Sequence, residues 1–150
     1  MNLTALRHYR RQFEDILRAE LSVLEGTLEA SVARCSDLEQ SADRAADLFQ
    51  SALCQGLSCD EMIDRTRDIE RLTVAVRHAV TAVEEARERW EQKRAEVMES
   101  ARERKTLELL EQRRLHQRTG RLRRLEQQAL DEAAHIRFLR SERVGTHYES

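Results

Sequence analysis

Apolar residues recur in steps of four and three along the first third of the chain, and this spacing constrains the fold more than any other feature. The series starts at Leu17 and continues for five repeats, with Ser31 as its only plainly polar member. Such a repeat indicates a left-handed coiled coil, because a period of 3.5 residues keeps one stripe of a supercoiled helix against its partner. The members are Leu17, Leu21, Leu24, Leu28, Ser31, Cys35, Leu38, Ala42, Ala45, Phe49 and Ala52.

A second series with the same steps begins after residue 60. Its members are Met62, Arg65, Ile69, Leu72, Val76, Ala79, Val83, Ala86, Trp90, Lys93 and Val97. Beyond Val97 the apolar residues fit the pattern only after shifts of phase, and before Leu17 the first stripe continues roughly through Leu6 and Phe13. The chain has no proline, 36% charged and 4% aromatic residues, a composition that suits long helices better than a compact globular core.

The two series are separated by a predicted turn. Gly56 is suited to the left-handed conformation just past a helix C-terminus, and Ser58 with Glu61 forms a predicted capping box that starts a new helix. A connection this short favours antiparallel neighbours. We therefore predict an all-α fold of two long helices in an antiparallel coiled coil, a single elongated domain at 1–150. The first helix covers about 3–54, the hinge 55–59, the second helix about 60–142, and a frayed tail 143–150.

The position of the turn predicts which residues face each other. If the turn is centred near Leu57, residue i lies opposite about 114 minus i, so Leu24 faces Trp90 and Phe13 faces Ala101. The first helix then runs out near Leu110, and about 30 residues of the second helix overhang it. This overhang carries apolar residues with no partner inside the chain, which predicts another protein as the partner: Leu115, Leu122, Leu125, Leu130, Ile136, Phe138 and Leu139.

Charge is distributed unevenly along a chain whose net charge is only −2. Residues 36–70 hold nine acids and three bases, whereas residues 102–124 hold nine bases and three acids. The basic stretch has three interpretations: a solvated helix face, a surface that docks on an acidic protein, or a nucleic-acid contact. The interleaved Glu103, Glu108 and Glu111 allow ion pairs within the helix and so weaken the nucleic-acid interpretation.

Sequence motifs of catalysis are absent. The chain has no glycine-rich phosphate loop, no HExxH and no CxxC, and a two-helix fold offers no cleft for a small-molecule substrate. Three cysteines without a signal peptide fit reduced thiols in the cytosol, and the small residues Cys54 and Cys59 beside the turn are read as structural rather than redox-active or metal-binding. We predict no enzymatic activity and no cofactor.

Three blocks in the second helix resemble the FliJ family, the flagellar type III export protein. They are residues 87–93 (RERWEQK), 102–113 (RERKTLELLEQR) and 124–134 (RLEQQALDEAA), which match in order a tryptophan followed by lysine, an ERK-LE-L-ER block and a closing EQ--LDE-A--R block. The short glycine-and-serine turn is also similar. The resemblance covers about residues 3–140, although only these blocks are specific to the family.

This resemblance implies a non-enzymatic coiled-coil stalk of the flagellar export apparatus. Members of the family are understood to insert in the hexameric export ATPase, promote its activity and link it to the membrane export gate and to export chaperones. The implied location is the cytoplasm, peripherally associated with the inner membrane at the flagellar base. The family's gate-contacting pair falls on Leu72 and Val76, and Leu72 stands where the family can have an aromatic residue.

Arginines at the end of the hairpin that holds the chain termini are the predicted contacts with the ATPase ring. They are Arg7, Arg10, Arg11, Arg113, Arg114, Arg118, Arg121, Arg123 and Arg124. Three alternatives remain open at this point: the equivalent stalk of a virulence-type secretion injectisome, a basic coiled-coil arm that binds RNA, and a plain dimeric structural coiled coil.

Overall fold

Two long helices make up the part of the chain that the structure, a computed structural model, describes: residues 3–145, with side chains for 3–143. Helix α1 covers Leu3–Gln55, with 53 residues, and helix α2 covers Cys59–Gly145, with 87 residues. They pack against each other as an antiparallel hairpin with the longer helix second, which confirms the predicted fold class. Helix α2 continues three residues past its predicted end, and residues 146–150 of the predicted frayed tail lie outside the described residues.

The hairpin divides into two compact units. Unit 2 is formed by residues 8–103 and contains the hinge, while unit 1 combines the described residues up to Arg7 with those from Arg104 onward. The helices are continuous through the division, because α1 and α2 are each a single uninterrupted element.

In unit 2, the first stripe lies where the sequence predicts it. Leu17 is buried, and the other ten members are half-buried, in contrast to most of the helix between them. The polar Ser31 is accommodated because its hydroxyl donates a hydrogen bond to the main-chain carbonyl of Thr27, at 3.0 Å. The second stripe is buried or half-buried from Ile69 to Val97, with Ala79 and Ala86 its most buried apolar members.

Ion pairs between the helices of unit 2 fix their register. Lys93 Nζ lies 2.9 Å from Glu20 Oε2, and Arg10 pairs with Glu103. The residue numbers of both pairs sum to 113, from 93 + 20 and from 10 + 103. Within unit 2 this agrees with the predicted register, in which opposite residues sum to about 114, whereas the numbers of Arg7 and Glu111, which pair in unit 1, sum to 118.

For two members of the second stripe, the predicted burial is wrong. Met62 and Arg65 are exposed, and the first half-buried residue of α2 is Ile69. The spacing rule identifies the face that these residues share with the stripe, but burial over the first ten residues of α2, about three turns, does not follow it.

The ends of both stripes also differ from the prediction. Phe13 is 40% exposed, and the buried residue beside it is Glu14, at 2%. In α2 the half-buried or buried positions continue through Ser100, Arg104, Leu107 and Glu111 in unbroken steps of three and four. The predicted phase shift directly after Val97 is therefore wrong: the geometric stripe continues as far as Glu111, and its occupants become mainly polar.

Unit 1 contains the start of α1 and most of the predicted overhang. Leu3, Leu6 and Leu107 are half-buried, and Arg7 Nη1 lies 2.7 Å from Glu111 Oε2. From residue 112 to residue 143 every residue except Gly120 is exposed. The unpartnered apolar residues that the sequence predicts in this region are therefore at the surface of the chain. Neither described helix contains a stretch long and apolar enough to cross a bilayer.

Candidate protein-binding surfaces

The most basic surface of the chain is the segment 112–125, called here the arginine segment. It contains six arginines and no acid: Arg113, Arg114, Arg118, Arg121, Arg123 and Arg124. All six are exposed, and none forms an ion pair with a carboxylate among the described residues. The segment therefore offers six guanidinium groups to a partner without any internal pair having to break.

The arginines of this segment are concentrated on one side of the helix. At about 100° per residue, all of them except Arg123 fall within roughly 140° of the helix circumference. Guanidinium groups present several donors in a planar fork that matches carboxylates and phosphates. This face can therefore hold an acidic partner along about three turns of helix, and Arg123 points to another side.

The predicted contacts from α1 are placed differently. Arg7 pairs with Glu111 within unit 1, and Arg10 pairs with Glu103 within unit 2. Their side chains are 45% and 34% exposed, so each guanidinium is shared between an internal carboxylate and the surface. Arg11 is exposed, with no ion pair among the described residues. The sequence analysis assigned Arg7, Arg10 and Arg11 to the same predicted contact as the arginine segment. In the structure, Arg7 and Arg10 also form ion pairs between the two helices.

Lys93, Glu20 and Glu96 form a small polar cluster in unit 2 that was not singled out in the sequence. Lys93 donates to Glu96 at 2.7 Å and pairs with Glu20 across the hairpin, and these two hydrogen bonds, Glu96 first, raise the pKa of the Lys93 ammonium. Glu14 lies 2.6 Å from Arg18. The signal in the sequence was Lys93 within the apolar part of the stripe, because a half-buried lysine requires nearby carboxylates.

The predicted gate pair lies on the inward-facing stripe of α2. Leu72 and Val76 are both half-buried. Val76, with Thr73, lines a shallow groove whose other wall is formed by Glu39, Ala42 and Asp43 of α1. A protein that enters this groove to reach Val76 therefore also contacts the adjacent part of α1.

The hinge is held by local hydrogen bonds. Gly56 has φ = 91°, in the region that favours glycine, and its amide donates to the carbonyl of Leu53 at 3.4 Å. The Ser58 amide donates to Glu61 Oε2 at 3.0 Å, and the Glu61 amide donates to Ser58 Oγ at 3.3 Å. The Ser58 hydroxyl also donates to Glu61 Oε2, at 3.0 Å. The two hydrogen bonds that the Glu61 carboxylate accepts from Ser58, the backbone one first, lower the pKa of Glu61, with a further contribution from the charge of Arg65.

Cysteine chemistry has little support in the geometry. All three thiols are free. Burial, followed by the nearby Glu39 carboxylate, raises the pKa of the Cys35 thiol, which keeps it in the less reactive protonated form. Among the described residues, no three histidine, cysteine or acidic side chains are grouped so that they could hold a metal ion.

A comparison with protein families decides between the readings of this hairpin. The model of the family described as "Flagellar FliJ protein" matches residues 1–143, nearly the whole chain. The chain belongs to the FliJ family. Searches of curated proteins and of solved structures gave no match.

Membership in the FliJ family places the observed surfaces in a known setting. The chain is a non-enzymatic component of the flagellar export apparatus, built as a coiled-coil helical hairpin. The matched range includes the arginine segment, the Leu72 and Val76 pair, and the hinge.

Proposed function

We propose that this FliJ-family chain is the coiled-coil stalk of the flagellar export ATPase, and that the arginine segment is its main contact with the ATPase ring. The observation that carries the proposal is the run of six exposed arginines without an internal ion pair. Acidic loops of the ring provide the matching chemistry, because carboxylates accept paired hydrogen bonds from guanidinium groups. Arg11 is the third-turn arginine of α1 that is available for the same contact, while Arg7 and Arg10 contribute with the surface left exposed by their internal pairs.

In this proposal, the stalk promotes ATP hydrolysis and links the ATPase to the membrane export gate and to export chaperones. The gate contact is assigned to Leu72 and Val76, together with the groove wall on α1. The protein acts in the cytoplasm, at the inner face of the membrane beneath the flagellum. Support for the gate contact comes from the FliJ family and from the groove-lining position of Val76.

Charge reversal on the arginine face tests the ATPase contact. The variant Arg113→Glu, Arg121→Glu, Arg124→Glu places three carboxylates within one arc of about 80°. We expect loss of ATPase stimulation and at least a tenfold weaker affinity for the ATPase, which corresponds to about 1.4 kcal/mol. Steady-state ATP hydrolysis and titration of labelled chain with the purified hexamer measure the two effects.

The matched control reverses three arginines elsewhere on α2. Arg77, Arg87 and Arg89 are exposed and make no ion pair among the described residues, so their replacement by glutamate changes the net charge equally. Stimulation that survives in the first variant, or is lost equally in the control, contradicts the assignment. Binding of bulk RNA with a steep salt dependence, lost in the first variant alone, would instead support an RNA-binding arm.

A further inference from the structure

The exposed part of α2 carries a second heptad stripe next to the arginine face. Six apolar residues, together with Arg118 and Glu132, follow one another in unbroken steps of three and four. The eight positions are Leu115, Arg118, Leu122, Leu125, Ala129, Glu132, Ile136 and Leu139. All are exposed in unit 1. We call them the outer stripe.

The outer stripe is a new seam rather than a continuation of the buried one. The buried series reaches Leu107 and Glu111, and the next step of four leads to Leu115, where the unbroken pattern would require a step of three to Arg114. Two successive steps of four are a stutter, which locally unwinds a coiled coil and turns the stripe to a different side of the helix. The helix is therefore patterned for a helical partner that differs from α1.

The order of residues along the outer stripe is nearly symmetric about its centre at residue 127. In an antiparallel pair of copies, Leu115 meets Leu139 of the other copy and Leu125 meets Ala129. The inner layers combine Arg118 with Ile136 and Leu122 with Glu132, which places Arg118 one layer, an axial rise of about 5 Å, from Glu132 of the second copy. Each charged residue of the stripe thus finds its counter-charge across the interface, twice by symmetry.

Charge also determines the direction of pairing. The arginine segment has six bases and no acid, whereas residues 126–143 hold four acids and three bases. A parallel pair would place the two arginine segments side by side, and the repulsion between them would be severe at low salt. An antiparallel pair places each arginine segment against the acid-containing half of the other copy.

We propose that the outer stripe binds a second copy of this chain, antiparallel, through residues 115–139. The stripe spans eight layers, or about three and a half heptads, which matches the length at which helix pairs become stable through apolar packing. Self-association covers the apolar residues that the hairpin leaves in water. This proposal is argued without the ATPase contact, because its partner is the chain itself, although Arg118 belongs to both surfaces.

Sedimentation of the full-length chain over a range of concentrations tests the proposal. We expect a monomer of 17.6 kDa that converts to a dimer of about 35 kDa, twice that mass, as concentration rises. Leu122→Asp with Leu125→Asp is expected to weaken dimerisation at least tenfold. Leu130→Asp is the matched control, since Leu130 is equally exposed but lies off the stripe, and it should leave dimerisation unchanged.

Charge exchange and cross-linking test the geometry. Arg118→Glu is expected to weaken the dimer, and adding Glu132→Arg to restore it. In a chain with Cys35, Cys54 and Cys59 replaced by alanine, Leu115→Cys mixed with Leu139→Cys should form a disulfide between copies, while Leu115→Cys alone should not.

A chain that stays monomeric, a dimer that survives the Leu122 and Leu125 substitutions, or efficient cross-linking through Leu115→Cys alone overturns the proposal. Helicity by circular dichroism verifies that each variant is folded.

Discussion

Ser58 and Glu61 satisfy each other's main-chain amides at the start of α2, and one of these bonds depends on pH. The Ser58 amide and hydroxyl both donate to Glu61 Oε2, each at 3.0 Å, so the charged carboxylate is favoured in the folded state. The pKa of Glu61 is lowered for this reason. A lowered pKa in the folded state means that ionised Glu61 adds stability above its unfolded pKa, and that this contribution disappears as pH falls through the folded pKa.

Glu61→Gln should remove this pH dependence while keeping an oxygen that can accept from Ser58. We expect the free energy of unfolding of the unsubstituted chain to fall, relative to that of the variant, as pH drops from about 7 to about 3. Urea unfolding followed by circular dichroism at each pH measures the difference. Glu70→Gln is the control, because Glu70 is an exposed carboxylate of the same helix without a capping role. An equal pH dependence in both variants would contradict the role of the capping box.

The hinge could be predicted from the sequence because its interactions are local. Ser58 and Glu61 are three residues apart, and glycine is favoured at position 56 because the main chain there has a positive φ. The burial of Glu14 could not be predicted in the same way. Phe13 is the more apolar neighbour, but the angular position on the helix decides which side chain faces α2, and that position belongs to Glu14.

At the scale of the helices, the stripe of unit 2 changes from apolar to polar without leaving its heptad spacing. Lys93 and Ser100 occupy the positions that follow Trp90 and Val97 along α2, and Arg10 and Glu14 occupy those that precede Leu17 along α1. Supercoil geometry preserves the spacing whatever the side chains are. A search for apolar residues therefore finds the stripe where it is apolar and misreads it as a phase shift where it turns polar.

Polar residues in a coiled-coil seam cost stability but restrict the register to one alignment. Interhelical ion pairs made by Glu20, Glu103 and Glu111 lie in or near the polar part of the seam. The apolar part alone could slip by a heptad, since leucine and alanine layers repeat along it. We infer that the polar part sets the register of the hairpin.

Ser100 makes this cost measurable. It is 3% exposed, and its hydroxyl has no hydrogen-bond partner among the described residues. We expect Ser100→Ala to increase the free energy of unfolding by about 1 to 2 kcal/mol, because an unpaired buried hydroxyl is removed and alanine has the higher helix propensity. Ser51→Ala in α1, at an exposed position, should yield only the propensity gain of about 0.5 kcal/mol. Equal effects in urea unfolding would show that the Ser100 hydroxyl is satisfied.

At the scale of the whole molecule, the two compact units hold different candidate surfaces. The arginine segment and the outer stripe belong to unit 1, while Leu72, Val76 and the hinge belong to unit 2. The sequence predicts the basic surface well, because a run of arginines without acids needs no tertiary information. It leaves open that Arg7 and Arg10 are engaged internally, because the pairing rule places them opposite the right part of α2 but does not decide which of the charged side chains nearby they meet.

The separation into units predicts that the proposed gate contact and the proposed ATPase contact can be lost independently. Leu72→Ala with Val76→Ala should weaken binding to the purified gate protein at least tenfold, about 1.4 kcal/mol, and leave ATPase stimulation intact. Both residues are half-buried, so their truncation also costs stability, roughly 1 to 3 kcal/mol each. Reduced gate binding alone would therefore not distinguish a lost contact from a loosened hairpin.

Ile69→Ala with Val83→Ala provides the necessary comparison. These residues lie on the same stripe of α2 on either side of the pair and are also half-buried, so their truncation lowers stability by a similar amount without touching the groove lined by Val76. Thermal unfolding establishes that the two variants are equally destabilised, and calorimetric titration with the gate protein then compares them. If Leu72 and Val76 contact the gate directly, only their variant loses affinity, because the second variant keeps the contacting side chains on an equally weakened helix. Equal loss in both would assign the effect to the stability of unit 2.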